Sequence, residues 1–168
     1  KDLLIEYDWF DDSLECSTHS HKPSTVALSL ISFAFSSSPV TNPDGSTGIN
    51  VIHDYGQGGQ FTGGNLISDD NGVLSGGVNG SEFQSHKTNN FDSIRHGYFY
   101  YTLLPHRYNT VSSSSGQAEL PGDDMIVSLY CYGSDTNVAH TVVHELGHNL
   151  GLRHGGFENT NWKPNYNS

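Results

Sequence analysis

Apolar residues fall into short runs along the chain, and the spacing within each run predicts its secondary structure. In four runs the apolar and aromatic residues alternate with polar ones or follow one another without a break, as in the strands of a buried sheet. These runs cover residues 3–10, 48–54, 97–107 and 125–130. Residues 117–120 are a shorter candidate, followed by a Pro-Gly-Asp-Asp turn. The pattern predicts five strands, with residues 97–107, the most apolar run, at the centre of the sheet.

Two other segments repeat their apolar residues with the period of an α-helix. The first follows Pro23, which suits the first turn of a helix, and ends at the Ser-Ser-Ser-Pro sequence of residues 36–39. The second covers about residues 135–150, with Asp135 or Thr136 as the candidate N-cap. Its apolar stripe, which should pack on the sheet, consists of Val138, Val142, Leu146 and Leu150.

The order of these elements predicts an α/β fold in a single domain spanning residues 1–168. A strand, a helix and a second strand follow one another near the start, and this order favours a right-handed parallel crossover. We therefore expect a twisted mixed sheet of five mostly parallel strands with two main helices. Residues 56–80 are rich in Gly, Asn, Asp and Ser and are interpreted as a long surface insertion.

Composition narrows the classes of partner. Hydrophobic residues make up 34% of the chain and glycines number 19, which indicates a small core with long polar loops. The formal net charge of −11 argues against nucleic acid and anionic membranes as partners. It fits an acidic soluble protein, and bound calcium is compatible with it, although no Asp-rich loop has a full calcium-site spacing. No apolar run approaches the length of a transmembrane helix.

The densest set of candidate functional residues is the sequence His-Glu-Leu-Gly-His-Asn-Leu-Gly-Leu-Arg-His at residues 144–154. His144 and His148 are four residues apart, so on a helix they lie on the same face and can reach one zinc ion. Gly151 can adopt a positive φ, which lets the helix end and the chain turn back so that His154 becomes a third ligand. Three protein ligands leave zinc a fourth position for water, as in a catalytic site.

Glu145 follows the first of these histidines, too displaced to bind the metal itself but able to reach a water bound there. Zinc lowers the pKa of its bound water toward about 7 and polarises a carbonyl group. Glu145 can then accept a proton from the water as a general base and pass it to the leaving amine. This chemistry predicts hydrolysis of peptide bonds without a covalent intermediate, with a protein or peptide as substrate.

The motif resembles the His-Glu-x-x-His-x-x-Gly-x-x-His pattern of the metzincin clan of zinc metallopeptidases, and within it secreted bacterial proteases similar to the reprolysins. The resemblance implies one catalytic zinc ion on His144, His148 and His154, with Glu145 as general base. It also implies a metzincin-like fold in which residues 115–120 form an antiparallel edge strand at the cleft. Such a strand would pair with an extended substrate, and an ordinary edge strand is the alternative.

The same resemblance implies an N-terminal subdomain of residues 1–151, which carries the active-site helix, and a C-terminal subdomain that begins at residue 152. Metzincins carry a methionine-containing turn after the third histidine, whereas the single methionine here, Met125, precedes the motif. Residues 163–168 resemble the approach to such a turn, so we expect the sequence to stop short of it. Because it neither begins with Met nor carries a signal peptide, we also expect a processed or trimmed chain. The resemblance implies a secreted protein, and we expect a monomer.

Two other functions stay open at this point. One is a non-catalytic secreted binding module that keeps zinc only for its structure, although a structural zinc site has no use for the Glu145 carboxylate. The other is a zinc hydrolase of the gluzincin type, in which a distant Glu supplies the third metal ligand. Glu158 is the only acidic residue after the motif, and it lies too close in sequence to come from a separate helix.

Cys16 and Cys131 are the only cysteines, and each follows the end of a predicted strand. Because parallel strands place these ends on the same side of a sheet, we expect a disulfide between them, which would suit a secreted protein. The alternative, taken from related zymogens, is that the Cys16 thiolate blocks the zinc in a latent form.

The other histidines close to predicted elements are assigned structural roles. His19 and His21 are interpreted as solvent-facing loop residues, and His96 and His106 as hydrogen-bonding residues at the two ends of the central strand. His140 lies about 12 Å along the helix axis from the second predicted ligand and cannot share its ion.

Overall fold

The computed structural model describes residues 1–12, 16–17, 19–68, 71–109, 114–156 and 158–159. In this part of the chain the predicted α/β class is confirmed, since strands and helices alternate along the sequence. The strands are β1 (Asp2–Asp12), β2 (His19–Ser20), β3 (Asn50–Asp54), β4 (Leu66–Ile67), β5 (Val73–Leu74), β6 (Phe99–Leu104), β7 (Arg107–Tyr108), β8 (Gly116–Ala118) and β9 (Asp124–Val127). The helices are α1 (Thr25–Ser36), α2 (Ser81–Asn90) and α3 (Asp135–Asn149). Residues 163–168, expected to approach a methionine turn, lie outside the described residues.

The main sheet is built around β1. On one side β1 pairs in parallel with β6, and β6 pairs in parallel with β9, so β6 is internal as predicted. β8 closes this side as an antiparallel edge strand against β9. On the other side β1 pairs in parallel with β3 and then β4, and β2 returns antiparallel onto residues 11–12. The sheet is mixed and mostly parallel as expected, but the short β2 and β4 bring it to seven strands in place of five.

Side chains that alternate along the strands supply a separate core on each face of the sheet. On one face Ile5 and Tyr7 of β1 pack with Ile31 of α1 and with Val142 and Leu146 of α3. The core of the opposite face contains Phe10, Ile67, Leu74, Phe83, Tyr101, Leu103 and Ile126. The helices α1 and α3 therefore share one face, and α2 covers the other.

The expectation of two main helices is wrong, because α2 is a third. The sequence of α2 has no apolar stripe, and Phe83 and Lys87 are its only buried residues. The Lys87 ammonium group forms ion pairs with Asp124 and, at 3.3 Å, with Asp123. Because one aromatic ring and one set of ion pairs hold this helix, hydrophobic periodicity cannot detect it.

The interpretation of residues 56–80 as a surface insertion is also wrong in part. The strands β4 and β5 lie within this segment, and the side chains of Ile67, Leu74 and Val78 are buried in the second core. The apolar residues here occur singly or in pairs among glycines and polar residues, so no longer run of them marks the segment as a core element.

Asp54, at the end of β3, orders the beginning of that segment. Its carboxylate accepts hydrogen bonds from the backbone N–H groups of Gly56 and Gly63 at 3.1 and 3.0 Å, and it pairs with Arg95 at 2.6 Å. Arg95 also forms an ion pair with Glu6 of β1. Burial raises the pKa of Glu6 to about 7 despite this partner. Burial acts on Asp54 in the same direction, but hydrogen bonds from Arg95 and the backbone outweigh it and leave the pKa below its usual value.

The expected disulfide between Cys16 and Cys131 is confirmed, with 6.2 Å between the two Cα atoms. It joins the segment after β1 to the turn after β9. Since neither cysteine is free, the alternative in which a Cys16 thiolate blocks a metal ion is excluded for this form of the chain.

Replacing Arg95 by leucine should destabilise the protein by about 3 kcal/mol, because two fully buried carboxylates then lose their cation. The measurement is urea unfolding at pH 8. The matched control is Arg153→Leu, since the side chain of Arg153 is exposed and should contribute less than about 0.5 kcal/mol.

The loss caused by Arg95→Leu should also depend on pH. Because the pKa of Glu6 is raised in the folded state, its contribution to stability is complete below its ordinary pKa and is lost as the pH rises through about 7. Arg95 opposes this rise, so its removal should be more damaging at pH 8 than at pH 5.5. An equal loss at the two pH values would contradict this account of the ion pair.

Candidate metal centre and its cleft

The helix α3 carries the first two predicted metal ligands. It begins after Ser134, whose hydroxyl accepts a hydrogen bond from the backbone N–H of Asn137 at 3.2 Å. The predicted caps, Asp135 and Thr136, are therefore wrong by one or two residues. The Asp135 carboxylate instead accepts a hydrogen bond from Ser24 at the start of α1, and this contact ties the two helices together.

The helix ends at Asn149, and Gly151, two residues later, has the positive φ that the sequence predicts, +90°. The Gly151 N–H donates to the carbonyl of His148 at 2.8 Å, and the Leu152 N–H donates to the carbonyl of Gly147 at 2.9 Å. These two bonds form a Schellman motif, which satisfies carbonyl groups at the end of the helix and reverses the chain. The reversal returns the segment that contains His154 toward α3.

The structure brings the three predicted ligands together. The ring centroids of His144 and His148 are 4.8 Å apart, and that of His154 lies 5.3 and 4.9 Å from them. One ring nitrogen from each lies within 4.8 Å of the other two. His144 and His154 are exposed and His148 is half-buried, so the site is accessible from solvent.

The protonation of these rings suits a metal ion. The Nδ1–H of His148 donates to the Leu152 carbonyl at 2.7 Å, and because a carbonyl only accepts, the Nε2 lone pair of this ring stays available. Burial, and then the neighbouring His148 and His154, lower the pKa of His144, which favours the neutral imidazole that binds metals. Three imidazoles at this spacing are a donor set that zinc accepts.

Glu145 lies beside the histidines, but its side chain is buried. It is only 5% exposed, and burial raises its pKa to about 7. Gly116 of β8 makes room for it: a Cβ atom at Gly116 would lie 2.6 Å from Glu145 Oε1 and 2.8 Å from the backbone oxygen of Ile126. Sequence reasoning missed Gly116, because nothing local distinguishes this glycine from the other 18.

These residues line one cleft of about 330 Å³ between α3 and the edge strand β8. The backbone of β8 alternates in direction, and Ser115 and Glu119 bond to β9 through their carbonyl and N–H groups respectively. The backbone groups of Gly116 and Ala118 therefore point away from β9. Tyr108 and Ser114 hydroxyls donate to the Gly116 carbonyl at 2.9 and 2.8 Å.

Asn149 fixes the helix to the sheet beside the cleft. Its side-chain amide donates to the carbonyls of Glu119 and Asp124 at 3.2 and 3.0 Å, and its backbone carbonyl accepts from the Gly122 N–H at 3.2 Å. Asn149 is the last residue of α3, so these bonds hold the end of the helix against the β8–β9 turn.

The five histidines that the sequence analysis assigned to structural roles divide into two groups. His140 is exposed one turn before the predicted ligands, and His96 packs edge-on against Phe91 with 5.1 Å between ring centroids. The interpretation of His19 and His21 as solvent-facing residues is wrong, because their rings contact each other with 4.6 Å between centroids. Both rings also lie against His106, 5.2 Å away in each case.

An acidic group in the β8–β9 turn is compact enough to bear on the calcium that the composition left open. The carboxylates of Glu119, Asp123 and Asp124 lie close together. However, Glu119 accepts from the backbone N–H groups of Asp123 and Asp124, and both aspartates pair with Lys87. These contacts give the group a structural role in the β8–β9 turn and α2.

The turn that carries His154 can be tested with two glycine substitutions. Gly151→Ala should destabilise the protein by about 1–2 kcal/mol, because an alanine at φ +90° is strained. It should also weaken zinc binding, because the strain is relieved by moving His154. The matched control is Gly147→Ala inside α3, where the new methyl group meets Leu152 at an ordinary 3.8 Å.

The control should raise stability by about 0.5–1 kcal/mol, since alanine is favoured over glycine in a helix. Thermal unfolding and zinc titration of both variants provide the measurements. Similar stability and zinc affinity for the two variants would show that the backbone conformation at Gly151 does not position the third histidine.

No protein-family model, curated protein or solved structure matches this chain. In the described part of the chain no helix combines the length and the apolar composition needed to cross a membrane. The function must therefore be inferred from the residues themselves and from their arrangement.

Proposed function

We propose that this chain is a secreted zinc-dependent endopeptidase of the metzincin type, which hydrolyses peptide bonds in a protein or peptide substrate. The observation that carries the proposal is the convergence of His144, His148 and His154, with one ring nitrogen of each within 4.8 Å of the others, beside the buried carboxylate of Glu145. A zinc ion on these histidines would supply a Lewis acid that activates water and polarises the scissile carbonyl.

The protein's own contribution to the chemistry is the handling of a proton. Burial raises the pKa of Glu145 to about 7, so near neutral pH this carboxylate can both accept a proton and release it. As water attacks the carbonyl carbon, Glu145 takes one proton from it. When the C–N bond breaks, the same carboxyl group gives the proton to the departing amine. Because Glu145 and Gly116 line the same cleft, they restrict the position that the reacting water can occupy.

The edge strand β8 supports an extended peptide as substrate. It borders the cleft, and the backbone of Ala118 points away from β9 toward the side where a further strand can add. Addition of a substrate strand here would place its backbone next to His144 and His148. The disulfide between Cys16 and Cys131 is compatible with the proposed extracellular location, where such bonds persist.

A substitution of Glu145 separates this proposal from a binding module that uses zinc only for structure. Glu145→Gln should retain zinc, because the carboxylate is not a ligand, and should lower kcat/KM for a generic protein substrate about 10²–10⁴-fold. Zinc content by mass spectrometry and cleavage of a fluorescent casein provide the two readouts.

The matched control is Glu158→Gln, which makes the same change at an exposed position outside the cleft lining and should cleave like wild type. His148→Ala should lose both zinc and cleavage. Equal cleavage by wild type and Glu145→Gln would remove Glu145 from the mechanism, and zinc binding without any cleavage by wild type would favour the binding module.

The space beneath Glu145 provides an independent test. Gly116→Ala should lower kcat by at least about tenfold with unchanged zinc content, because the new methyl group must displace the carboxylate or the Ile126 backbone. Gly133→Ala is the control, since a methyl group there meets its nearest neighbours at 3.8 Å. If both variants keep wild-type kcat, the position of Glu145 does not limit the reaction.

A further inference from the structure

We propose that His19, His21 and His106 form a second metal site, separate from the cleft, that binds a divalent transition ion of the zinc class. One ring nitrogen from each histidine lies within 4.8 Å of the other two, the same compactness as in the first set. The ring centroids are 4.6, 5.2 and 5.2 Å apart. The residues that line the cavity around this cluster and those that line the cleft at Glu145 have no member in common.

Two different elements position the three rings. His19 belongs to β2, and in an extended chain residues i and i+2 point to the same side, which places the His19 and His21 rings together. The His21 N–H donates to the carbonyl of Phe10 at 3.1 Å and so fixes this hairpin against β1. His106 follows the end of β6, the strand next to β1, and is 1% exposed.

The backbone of His106 is held firmly. Its carbonyl accepts hydrogen bonds from the Ser128 hydroxyl at 3.1 Å and from the Tyr130 N–H at 3.2 Å. The disulfide between Cys16 and Cys131 lies beside it and joins the approach to β2 to the turn after β9. The ligands are therefore brought together by the fold and a covalent bond, without any need for the ion itself.

The hydrogen bonding of His19 points to a missing ligand. Its Nδ1–H donates to the carbonyl of Ser17 at 2.8 Å, and in the neutral ring this tautomer leaves the lone pair on Nε2. Nε2 is shielded from solvent and has no hydrogen-bond partner among the described residues. A buried acceptor without a donor is unfavourable, and a cation bound at Nε2 would remove that cost.

The spacing of the other two rings fits the same ion. His21 Nε2 and His106 Nδ1 are hydrogen-bonded at 3.1 Å, so one of them carries the proton that an ion would replace. Two nitrogens bound to one tetrahedral zinc ion at the usual bond length are about 3.4 Å apart, so a small movement would convert this contact into shared coordination. An all-imidazole donor set selects zinc, copper or nickel over calcium and magnesium.

His19 and His21 line a cavity of about 390 Å³ that can admit a metal ion and a further ligand such as water. Lys22, Asp135 and the two cysteines of the disulfide also line this cavity. An ion bound here would link the β2 hairpin to the ends of β6 and β9.

The test is the zinc stoichiometry of the protein by native mass spectrometry after loading with zinc sulfate and removal of free metal. Wild type should bind two ions. His19→Ala/His21→Ala should bind one, and His144→Ala/His148→Ala should also bind one. The matched control, His96→Ala/His140→Ala, removes two histidines outside both clusters and should bind two.

The variant His144→Ala/His148→Ala tests the second site even if His19→Ala/His21→Ala does not fold, because it leaves the second site intact. One ion bound to a folded His144→Ala/His148→Ala variant supports the second site, including when wild type itself binds one. No zinc on this variant, with folding confirmed by circular dichroism, would overturn it. Loss of zinc only at the cleft would bear on the proposed function and leave this inference standing.

Discussion

An α-helix can offer only one face to the sheet on which it packs, and in α3 that requirement decides where the histidines lie. Val142 and Leu146 are completely buried in the core shared with β1 and β9. The adjoining face of the helix, with His144 and His148, is therefore turned toward the cleft. Glu145 is buried at the border between the two faces and still lines the cleft. The arrangement of the histidines thus depends on the same apolar contacts that hold the helix on the sheet.

Because the apolar content of this chain is modest, buried polar side chains do much of the work of fixing its loops in one conformation. The Asp8 carboxylate accepts from the Asn65 N–H and from the Tyr101 hydroxyl, each at 2.7 Å, and burial raises its pKa to about 6. Together with Asp54 it fixes the glycine-rich segment that follows β3. At the other side of the sheet, Asn149 does the same for the end of α3. Each of these groups satisfies several backbone or hydroxyl partners, which is how loops with few apolar residues become ordered.

The sequence predicts correctly the features that depend on the spacing of apolar residues or on a single residue. The alternation of apolar residues identifies the main strands, and the positive φ at Gly151 follows from the need to end α3. The errors arise where contacts between segments distant in sequence determine the structure. Lys87 holds α2 through an aspartate 37 positions away, and the need for glycine at position 116 exists only because Glu145 occupies the adjacent space. The zinc ion and the peptidase activity are still predictions, since geometry shows that the donors meet but not what they bind.

The two histidine clusters show why one of them can be recognised in the sequence and the other cannot. A helix places residues i and i+4 on one face, and the turn at Gly151 adds a third imidazole within eleven positions, so the whole ligand set forms a readable motif. A strand places residues i and i+2 on the same side, but a pair of histidines such as His19 and His21 is a common pattern. By itself it supplies only two of the three ligands. The third histidine of the cluster, His106, is 85 positions beyond His21, and the pairing of β1 with β6 brings it close to the other two. Because the sheet and the disulfide have already brought these rings together, an ion would bind to a preorganised site, which lowers the entropy lost on binding.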